Sequence, residues 1–309
     1  MKFTYQELRD LTTKNGGAFS VKCIDNAYIF CERLSKKHYE NFPVGSILIP
    51  HSKRKYFFAV YAVARISDDI ADELLDIDPE IRIEMLNQIA DLINDNRSID
   101  MTSGNPIIMA LMDTMKHCNI PARAVTDLLK AFKMDLNFRQ PKNWDEIEYY
   151  CKHSANPVGE VILRIFDNYN ETTAEYSDAI CTGLQLVNFW QDLSRDIPDG
   201  RIYIPESELK KHSIEINDLL NQNNINNLES CLIDIFDKTE KYFVKGKNLI
   251  GFLTSKRLKA EIAFTVEGGL KILKKNRILG KKLLSVRPTV KILDLFPLFI
   301  NVILNHKLI

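Results

Sequence analysis

The 309-residue chain carries 41 basic and 41 acidic residues, so its net charge gives no indication of a nucleic-acid partner. Its hydrophobic content of 45% is sufficient for a large core. No run of about 18 uncharged apolar residues occurs, and the N-terminus lacks the apolar core of a signal peptide. The six cysteines are scattered without a C-x-x-C pair, which indicates free thiols in a reducing, cytosolic compartment.

Helical periodicity runs through almost the whole chain and predicts an all-α protein. Strand-like alternation is confined to short pieces such as residues 201–204. One helix is predicted from about Lys22 to His38, and another begins after Pro50. Three further helices are expected to start at prolines that suit the first helical position, namely Pro79, Pro106 and Pro121. No composition shift marks a boundary, so residues 1–309 are predicted to form one domain.

The second half of the chain continues this helical pattern. Residues 144–153 predict a short helix, and the helix from Pro121 is expected to reach about Phe138. An asparagine-rich stretch at 217–227 is the best candidate for a mobile loop, with helices expected at about 227–253 and 257–284. The apolar segment 290–304 is too short to span a bilayer. It predicts a core or cavity-lining helix, with an interfacial membrane contact as the alternative.

Residues 56–73, YFFAVYAVARISDDIADE, place acids at the end of an apolar helix. At about 100° per residue, Tyr61, Arg65, Asp68 and Asp72 fall within roughly 60° of arc and share one face. Carboxylates four residues apart oppose helix formation, and burying them unpaired is costly. We therefore expect this pair of aspartates to meet cations. A solvated acidic helix end is the alternative.

Residues 183–205, GLQLVNFWQDLSRDIPDGRIYIP, repeat this design. Gln185, Asn188, Asp192 and Asp196 lie within about 80° of arc on a second apolar helix. Mg²⁺ takes oxygen ligands and is commonly shared between one or two carboxylates and substrate phosphates. Two such helices facing each other predict a Mg²⁺-bound diphosphate between them.

Other metal and nucleotide motifs are absent from the sequence, which contains no His-Glu-x-x-His, Walker loop or G-x-G-x-x-G. Four polar side chains near the acidic motifs are candidate diphosphate donors or, alternatively, structural polar groups: Arg65, Gln185, Asn188 and Arg195. Four aromatic side chains could stabilise a carbocation through their ring faces or simply pack in the core: Phe42, Tyr61, Tyr150 and Tyr203.

Four segments, in this order and spacing, resemble the squalene and phytoene synthase family. They are ENFPVGSILIP, YAVARISDDIADE, YYCKHSANPVGE and LQLVNFWQDLSRDIPDGRIYIP. The resemblance covers about residues 36–288. It implies the isoprenoid synthase fold, a central apolar cavity, and Mg²⁺-dependent head-to-head chemistry on prenyl diphosphates through presqualene-type diphosphates.

The resemblance also implies roles for individual positions. Metal binding and catalysis would fall on Asp68, Asp72, Asp192 and Asp196, with Tyr61 and Arg65 beside the first pair. Substrate contacts would fall on His38, Asn41, Phe42, Tyr150, Ala155, Gly159, Gln185, Asn188 and Tyr203. Arg287 and Lys291 are further candidates for reaching the diphosphate, although no distinct motif supports them.

Two positions depart from the family pattern. Many squalene and phytoene synthases carry arginine immediately before the first aspartate of the second motif, where this chain has Gln191. They commonly carry an acid before its last aspartate, where this chain has Arg195. Gln191, together with ENFPVGS and DDIADE, is most similar to the HpnC-type branch, the hydroxysqualene synthases of bacterial hopanoid and squalene pathways. In those pathways a sister enzyme condenses two farnesyl diphosphates.

The resemblance therefore implies that presqualene diphosphate loses its diphosphate and that water captures the cation to give hydroxysqualene. A full squalene or phytoene synthase is the alternative, and a non-catalytic helical subunit or lipid carrier is a remote one. NADPH would be required only if squalene were the product. We expect a cytosolic protein, with peripheral membrane contact left open.

Overall fold

The computed structural model describes residues 3–37, 49–95, 102–220 and 226–289. Within these ranges the secondary structure is helical, without strands, and one isolated bridge pairs Val21 with Gly104. The predicted all-α class is therefore confirmed. The alternating residues 201–204 do not form a strand.

The chain divides into two compact units, and the first comprises Met1–Asn137 and Glu160–Tyr169. Its α-helices in the described ranges are α1 (Tyr5–Leu11), α2 (Ile24–Lys37), α3 (His51–Asp72), α4 (Pro79–Asn94), α5 (Pro106–Cys118) and α6 (Ala122–Leu136). Helix α3 packs against α2, α4, α5 and α6. This central position explains why α3 is apolar almost all round between residues 56 and 64.

Helix starts in this unit follow capping rules. Asp78 and Asn105 accept hydrogen bonds from backbone N–H groups of the turns that follow them, and Pro79 and Pro106 occupy the first helical position. Both of these predicted starts are confirmed. Pro121 is instead the residue before the helix, which begins at Ala122.

The second unit comprises Phe138–Gly159 and Asn170–Ile309. The α-helices that lie in it wholly or in part are α7 (Trp144–Ser154), α8 (Asn156–Ile165), α9 (Glu171–Gln191), α10 (Leu193–Asp196), α11 (Glu206–Lys211), α12 (Ile216–Leu220), α13 (Leu228–Gly246), α14 (Leu249–Phe252) and α15 (Lys256–Leu279). A 3₁₀ helix, Gly280–Leu284, follows α15. Whether the two units form the predicted single domain stays a prediction.

Helix α9 forms the core of the second unit and packs against α7, α13 and α15. Trp190 is fully buried, and its Nε1 donates a hydrogen bond to Thr239 Oγ1 at 2.8 Å. Phe243 is also fully buried, and a Cβ at Gly269 would lie only 2.6 Å from its ring. The absence of a side chain at Gly269 therefore lets α15 approach Phe243 closely.

Several predicted boundaries needed correction. The helix expected at 227–253 ends at Gly246 and is followed by the short α14, while the helix expected at 257–284 ends at Leu279. Part of the asparagine-rich stretch forms α12, and residues 221–225 and 290–304 lie outside the described residues. The cysteines are free thiols, as predicted. None of the helices in the described ranges has the length and apolar character that crossing a bilayer requires.

Candidate active site

The first aspartate motif lies on α3, in the first unit. Tyr61, Arg65, Asp68 and Asp72 are all in the helix, so they share the predicted face. Asp72 is exposed, whereas Asp68 is half-buried. The Tyr61 ring stacks on Phe57 with centroids 6.3 Å apart.

Arg65 is engaged within its own helix. Its Nη1 donates to Asp68 Oδ2 at 2.9 Å, and its Nη2 donates to the buried Asp69. The sequence made Arg65 a candidate diphosphate donor or, alternatively, a structural polar group, and the structure shows that two of its nitrogens bond carboxylates. A single arginine therefore lies beside a cluster of four acidic residues, Asp68, Asp69, Asp72 and Glu73.

This excess of negative charge changes the acidity of Asp68. Burial, together with the neighbouring acids, raises the pKa of its carboxyl from 3.8 to about 6, against the opposing effect of Arg65. Burial and the neighbouring acids make the ionised form of Asp68 unfavourable, and a bound cation would stabilise that form. Asp68 is therefore a suitable ligand for a cation.

The second aspartate motif lies in the second unit, where α9 ends. We predicted one continuous helix, but α9 ends at Gln191 and Asp192 is its C-cap, with Asp196 ending the separate α10. The path stays nearly helical because Asp192 N–H donates to Asn188 O and Asp196 N–H donates to Asp192 O, at 3.0 and 2.9 Å. The two aspartates therefore remain about one turn apart.

Asp196 resembles Asp68 in its environment. Burial and the nearby Asp192 raise the pKa of its carboxyl to about 6, although Arg201 and Arg195 act in the opposite direction. Within the described ranges, the Asp196 side chain makes no hydrogen bond or ion pair. Its charge is thus poorly compensated.

Asp192 has a partner from the far end of the described chain. Arg287 donates from Nε and from Nη2 to the two carboxylate oxygens of Asp192, with Nη2 at 3.2 Å from Oδ2. The adjacent Gln191 donates from Nε2 to the Pro288 carbonyl at 2.6 Å. Arg287 was only a weak candidate from the sequence, and the structure brings it directly to the motif.

Four aromatic residues of the second unit form one cluster. Tyr203 stacks on Phe189 with ring centroids 3.7 Å apart, and Tyr150 lies 5.7 Å from Phe189 and 6.1 Å from Tyr203. Phe138 contacts Tyr203 edge-on at 5.1 Å. Two predicted residues, Tyr150 and Tyr203, are therefore brought together. Phe189 and Phe138 were missed, although Phe189 lies within the second motif.

The remaining predicted positions differ in accessibility. Gln185 and Ala155 are half-buried, and Asn188 is exposed. Gly159 is buried where a Cβ would lie 2.3 Å from Ser177 Oγ, so close helix packing alone requires a glycine there. His38, Asn41, Phe42 and Lys291 lie outside the described residues.

The donor set of both motifs fits a hard divalent cation such as Mg²⁺. Each motif offers carboxylate oxygens, and in each motif one half-buried carboxyl has a raised pKa that a bound cation would lower. Asp68 and Asp72 would hold a metal in the first unit, and Asp192 and Asp196 in the second. That the two motifs face each other stays a prediction.

A different group of potential metal ligands lies on α11 and α13. The ligand atoms of Glu208, His212 and Asp234 lie within 4.8 Å of one another. However, Lys211 Nζ bonds Asp234 Oδ2 at 2.8 Å and lies 3.7 Å from Glu208 Oε2. Hydrogen bonds from Lys211 and His212 lower the pKa of Asp234, in contrast to the raised pKa values of Asp68 and Asp196, so we assign the cluster to helix packing.

The model of the squalene/phytoene synthase family matches residues 35–294. The chain belongs to the squalene/phytoene synthase family. It is an enzyme of this family, and the family resemblance noted in the sequence is confirmed. The remote alternative of a non-catalytic subunit is therefore set aside.

Curated relatives fall into two activities. A hydroxysqualene synthase from Rhodopseudomonas palustris is 32% identical over 226 residues, which are 72% of this chain and 75% of the relative. A phytoene synthase from Mycobacterium tuberculosis is 30% identical over 193 residues, which are 62% of each chain. This family member is thus similar to both kinds of synthase.

Solved structures agree with the fold. Squalene synthase HpnC from Alicyclobacillus acidocaldarius is 31% identical, with a TM-score of 0.77 over 83% of this chain and 95% of that one. A dehydrosqualene synthase superposes with a TM-score of 0.76 over 92% and 98%, at 19% identity. This synthase therefore has the predicted isoprenoid synthase fold.

Proposed function

We propose that this family member converts presqualene diphosphate into hydroxysqualene, with loss of diphosphate and capture of the cation by water. The main support is the second motif, where the half-buried Asp196 carboxyl lies beside Asp192 and makes no hydrogen bond or ion pair in the part of the chain that the structure describes. Such a pair suits a metal that accepts a leaving diphosphate. Similarity to relatives named hydroxysqualene synthase and to squalene synthase HpnC also favours this substrate class.

In the proposed reaction, the C–O bond to the diphosphate breaks and its electron pair leaves with the diphosphate. Bound Mg²⁺ would supply Lewis-acid stabilisation of that leaving group. Tyr150, Phe189 and Tyr203 present adjacent rings whose faces attract a cation by about 0.5–2 kcal/mol each. The resulting cyclopropylcarbinyl cation rearranges by the shift of one cyclopropane C–C bond, and its ring then opens. A water oxygen then bonds to the open-chain cationic carbon and releases one proton to solvent.

A second function has specific support. Relatives named phytoene synthase are also about 30% identical, which favours a head-to-head condensation of two prenyl diphosphates as the alternative. If squalene were the product, a hydride from a donor such as NADPH would have to replace water. In either case we propose that the apolar product leaves through peripheral membrane contact and that sister enzymes supply or consume the intermediates.

Product analysis distinguishes these reactions. The purified protein with Mg²⁺ receives presqualene diphosphate or farnesyl diphosphate, each with and without NADPH. We expect hydroxysqualene from presqualene diphosphate alone, with farnesyl diphosphate unchanged. Consumption of farnesyl diphosphate would instead support the condensing synthase, and no diphosphate release from any prenyl substrate would refute both.

Substitution of one aspartate in each motif tests the metal assignment. Asp72→Ala and Asp192→Ala should lower turnover more than the 10–100-fold that is typical of groups around a metal ligand, that is, by more than about a hundredfold. Matched controls are Asp76→Ala and Asp199→Ala, which remove nearby exposed acids. Near wild-type turnover in either motif variant, with an unchanged melting temperature, would contradict the assignment.

A further inference from the structure

The segment 285–289 follows the 3₁₀ helix Gly280–Leu284 and returns to the second aspartate motif. Its Arg287 binds both carboxylate oxygens of Asp192, and its Pro288 carbonyl accepts a hydrogen bond from Gln191 at 2.6 Å. Gln191 and Asp192, at the end of α9, therefore bond the adjacent residues Pro288 and Arg287 of this segment.

The hydrogen bond from Gln191 is shielded from water. Gln191 is only 8% exposed, and its bond to Pro288 is buried. A buried carbonyl that loses its donor is left with an uncompensated desolvation penalty. Because Gln191 is the last residue of α9, which packs along α13 and α15, its bond fixes the segment to the core of the unit.

Arg287 is more accessible than Gln191, with 30% of its side chain exposed. A guanidinium has five N–H donors, and only the Nε and Nη2 atoms of Arg287 bond Asp192. The planar fork of an arginine matches the geometry of phosphate oxygens. An arginine fixed beside Asp192 can therefore offer its other donors to an anion.

We infer that Gln191 is a positioning residue that holds Arg287 at the second aspartate motif, where the guanidinium binds the diphosphate group of the substrate. The inference rests on the proposed function, since it takes the anion to be the diphosphate of a prenyl substrate. It explains why a neutral, buried amide stands immediately before a candidate metal ligand: its partner is the backbone that carries the arginine.

The test measures binding of inorganic pyrophosphate to the full chain in the presence of Mg²⁺ by calorimetry. Gln191→Met and Arg287→Met should each weaken binding by about fivefold to thirtyfold. Because Gln191 acts through Arg287, the double variant should bind no more weakly than Arg287→Met. Two results would overturn the inference. One is a double variant whose loss of pyrophosphate affinity equals the product of the two single losses. The other is a Gln191→Met variant that binds pyrophosphate within about twofold of wild type.

Gln88→Met is the matched control, since it makes the same substitution in the first unit and removes the hydrogen bonds that Gln88 accepts from Thr12 and donates to Glu84. Its pyrophosphate affinity should stay within about twofold of wild type. If Gln191→Met does not fold, Gln191→Ser takes its place, because the smaller side chain leaves room for water at the Pro288 carbonyl.

Hydrogen–deuterium exchange separates this inference from the proposed function. Peptides covering 285–289 should exchange faster in Gln191→Met than in wild type. Faster exchange with unchanged pyrophosphate affinity would show a purely structural contact and overturn the positioning role. A protein that turns over no prenyl diphosphate, but shows both expected changes, would refute the proposed function and leave the positioning of an anion-binding arginine intact.

Discussion

Asp196→Asn should stabilise the metal-free protein although it removes a candidate metal ligand. Burial and Asp192 raise the pKa of the Asp196 carboxyl from 3.8 to about 6, so the folded protein holds this carboxylate at a cost in free energy. Asparagine has nearly the same shape and carries no charge. Its substitution therefore removes the cost without opening a cavity.

The size of the effect follows from the pKa. A rise from 3.8 to about 6 corresponds to at most ~3 kcal/mol of unfolding free energy. Asp196 is only half-buried, and screening by solvent reduces this figure to about 1 kcal/mol. For a chain of this size we expect the melting temperature of Asp196→Asn to rise by about 2–4 °C.

The direction of the pH dependence follows from proton binding. Between about pH 4 and pH 6 the folded protein binds more protons at Asp196 than the unfolded chain does, so wild-type stability falls as the pH rises through this window. The Asp196→Asn variant does not lose stability in this way, because asparagine does not titrate. The difference in melting temperature should therefore be near zero at about pH 4 and complete above about pH 6.

Thermal unfolding followed by circular dichroism in EDTA, from pH 4 to pH 8, measures this difference. The control is Asp199→Asn, which neutralises an exposed acid and should change the melting temperature by less than about 1 °C. Added Mg²⁺ should stabilise the wild type more than the variant. An equal or lower melting temperature of Asp196→Asn at pH 7.5, or a difference that does not vary with pH, would refute the reasoning.

Two further predictions concern the core of the second unit. Gly269→Ala should lower the unfolding free energy by about 1–3 kcal/mol, because its Cβ would lie 2.6 Å from the Phe243 ring. Urea denaturation measures this, and Gly251→Ala, where a Cβ meets nothing within 4 Å, should show no such loss. Thr239→Val should cost about 1–3 kcal/mol by leaving the buried Trp190 N–H without its acceptor. An unchanged urea midpoint in Thr239→Val would mean that another group accepts this hydrogen bond.

Local sequence signals were sufficient to predict much of the fold. Pro79 and Pro106 start helices because each follows a residue whose side chain caps the backbone, and both features are visible in the sequence. The apolar run before Asp68 predicted a buried helix, and α3 packs at the centre of its unit. The helix end at Gly246 was harder to predict, since the apolar pattern continues into α14.

The candidate site was less predictable because its decisive contacts are not local. The acidic face of α3 depends only on helical spacing and is present as expected. The break at Asp192 was missed, since the residues after it keep nearly helical hydrogen bonds. Gln191 was interpreted through the arginine that many relatives carry at this position. In the structure its amide bonds the backbone beside another arginine, Arg287.

The ion pair between Asp192 and Arg287 joins positions 95 residues apart in the chain. During synthesis, both aspartate motifs leave the ribosome well before this arginine does. Until then the Asp192 carboxylate lacks the Arg287 guanidinium, and the segment that bonds Gln191 does not yet exist. Completion of the second motif therefore depends on a segment that is made 95 residues later, and a fragment that contains all four aspartates but stops before Arg287 would still lack this cation.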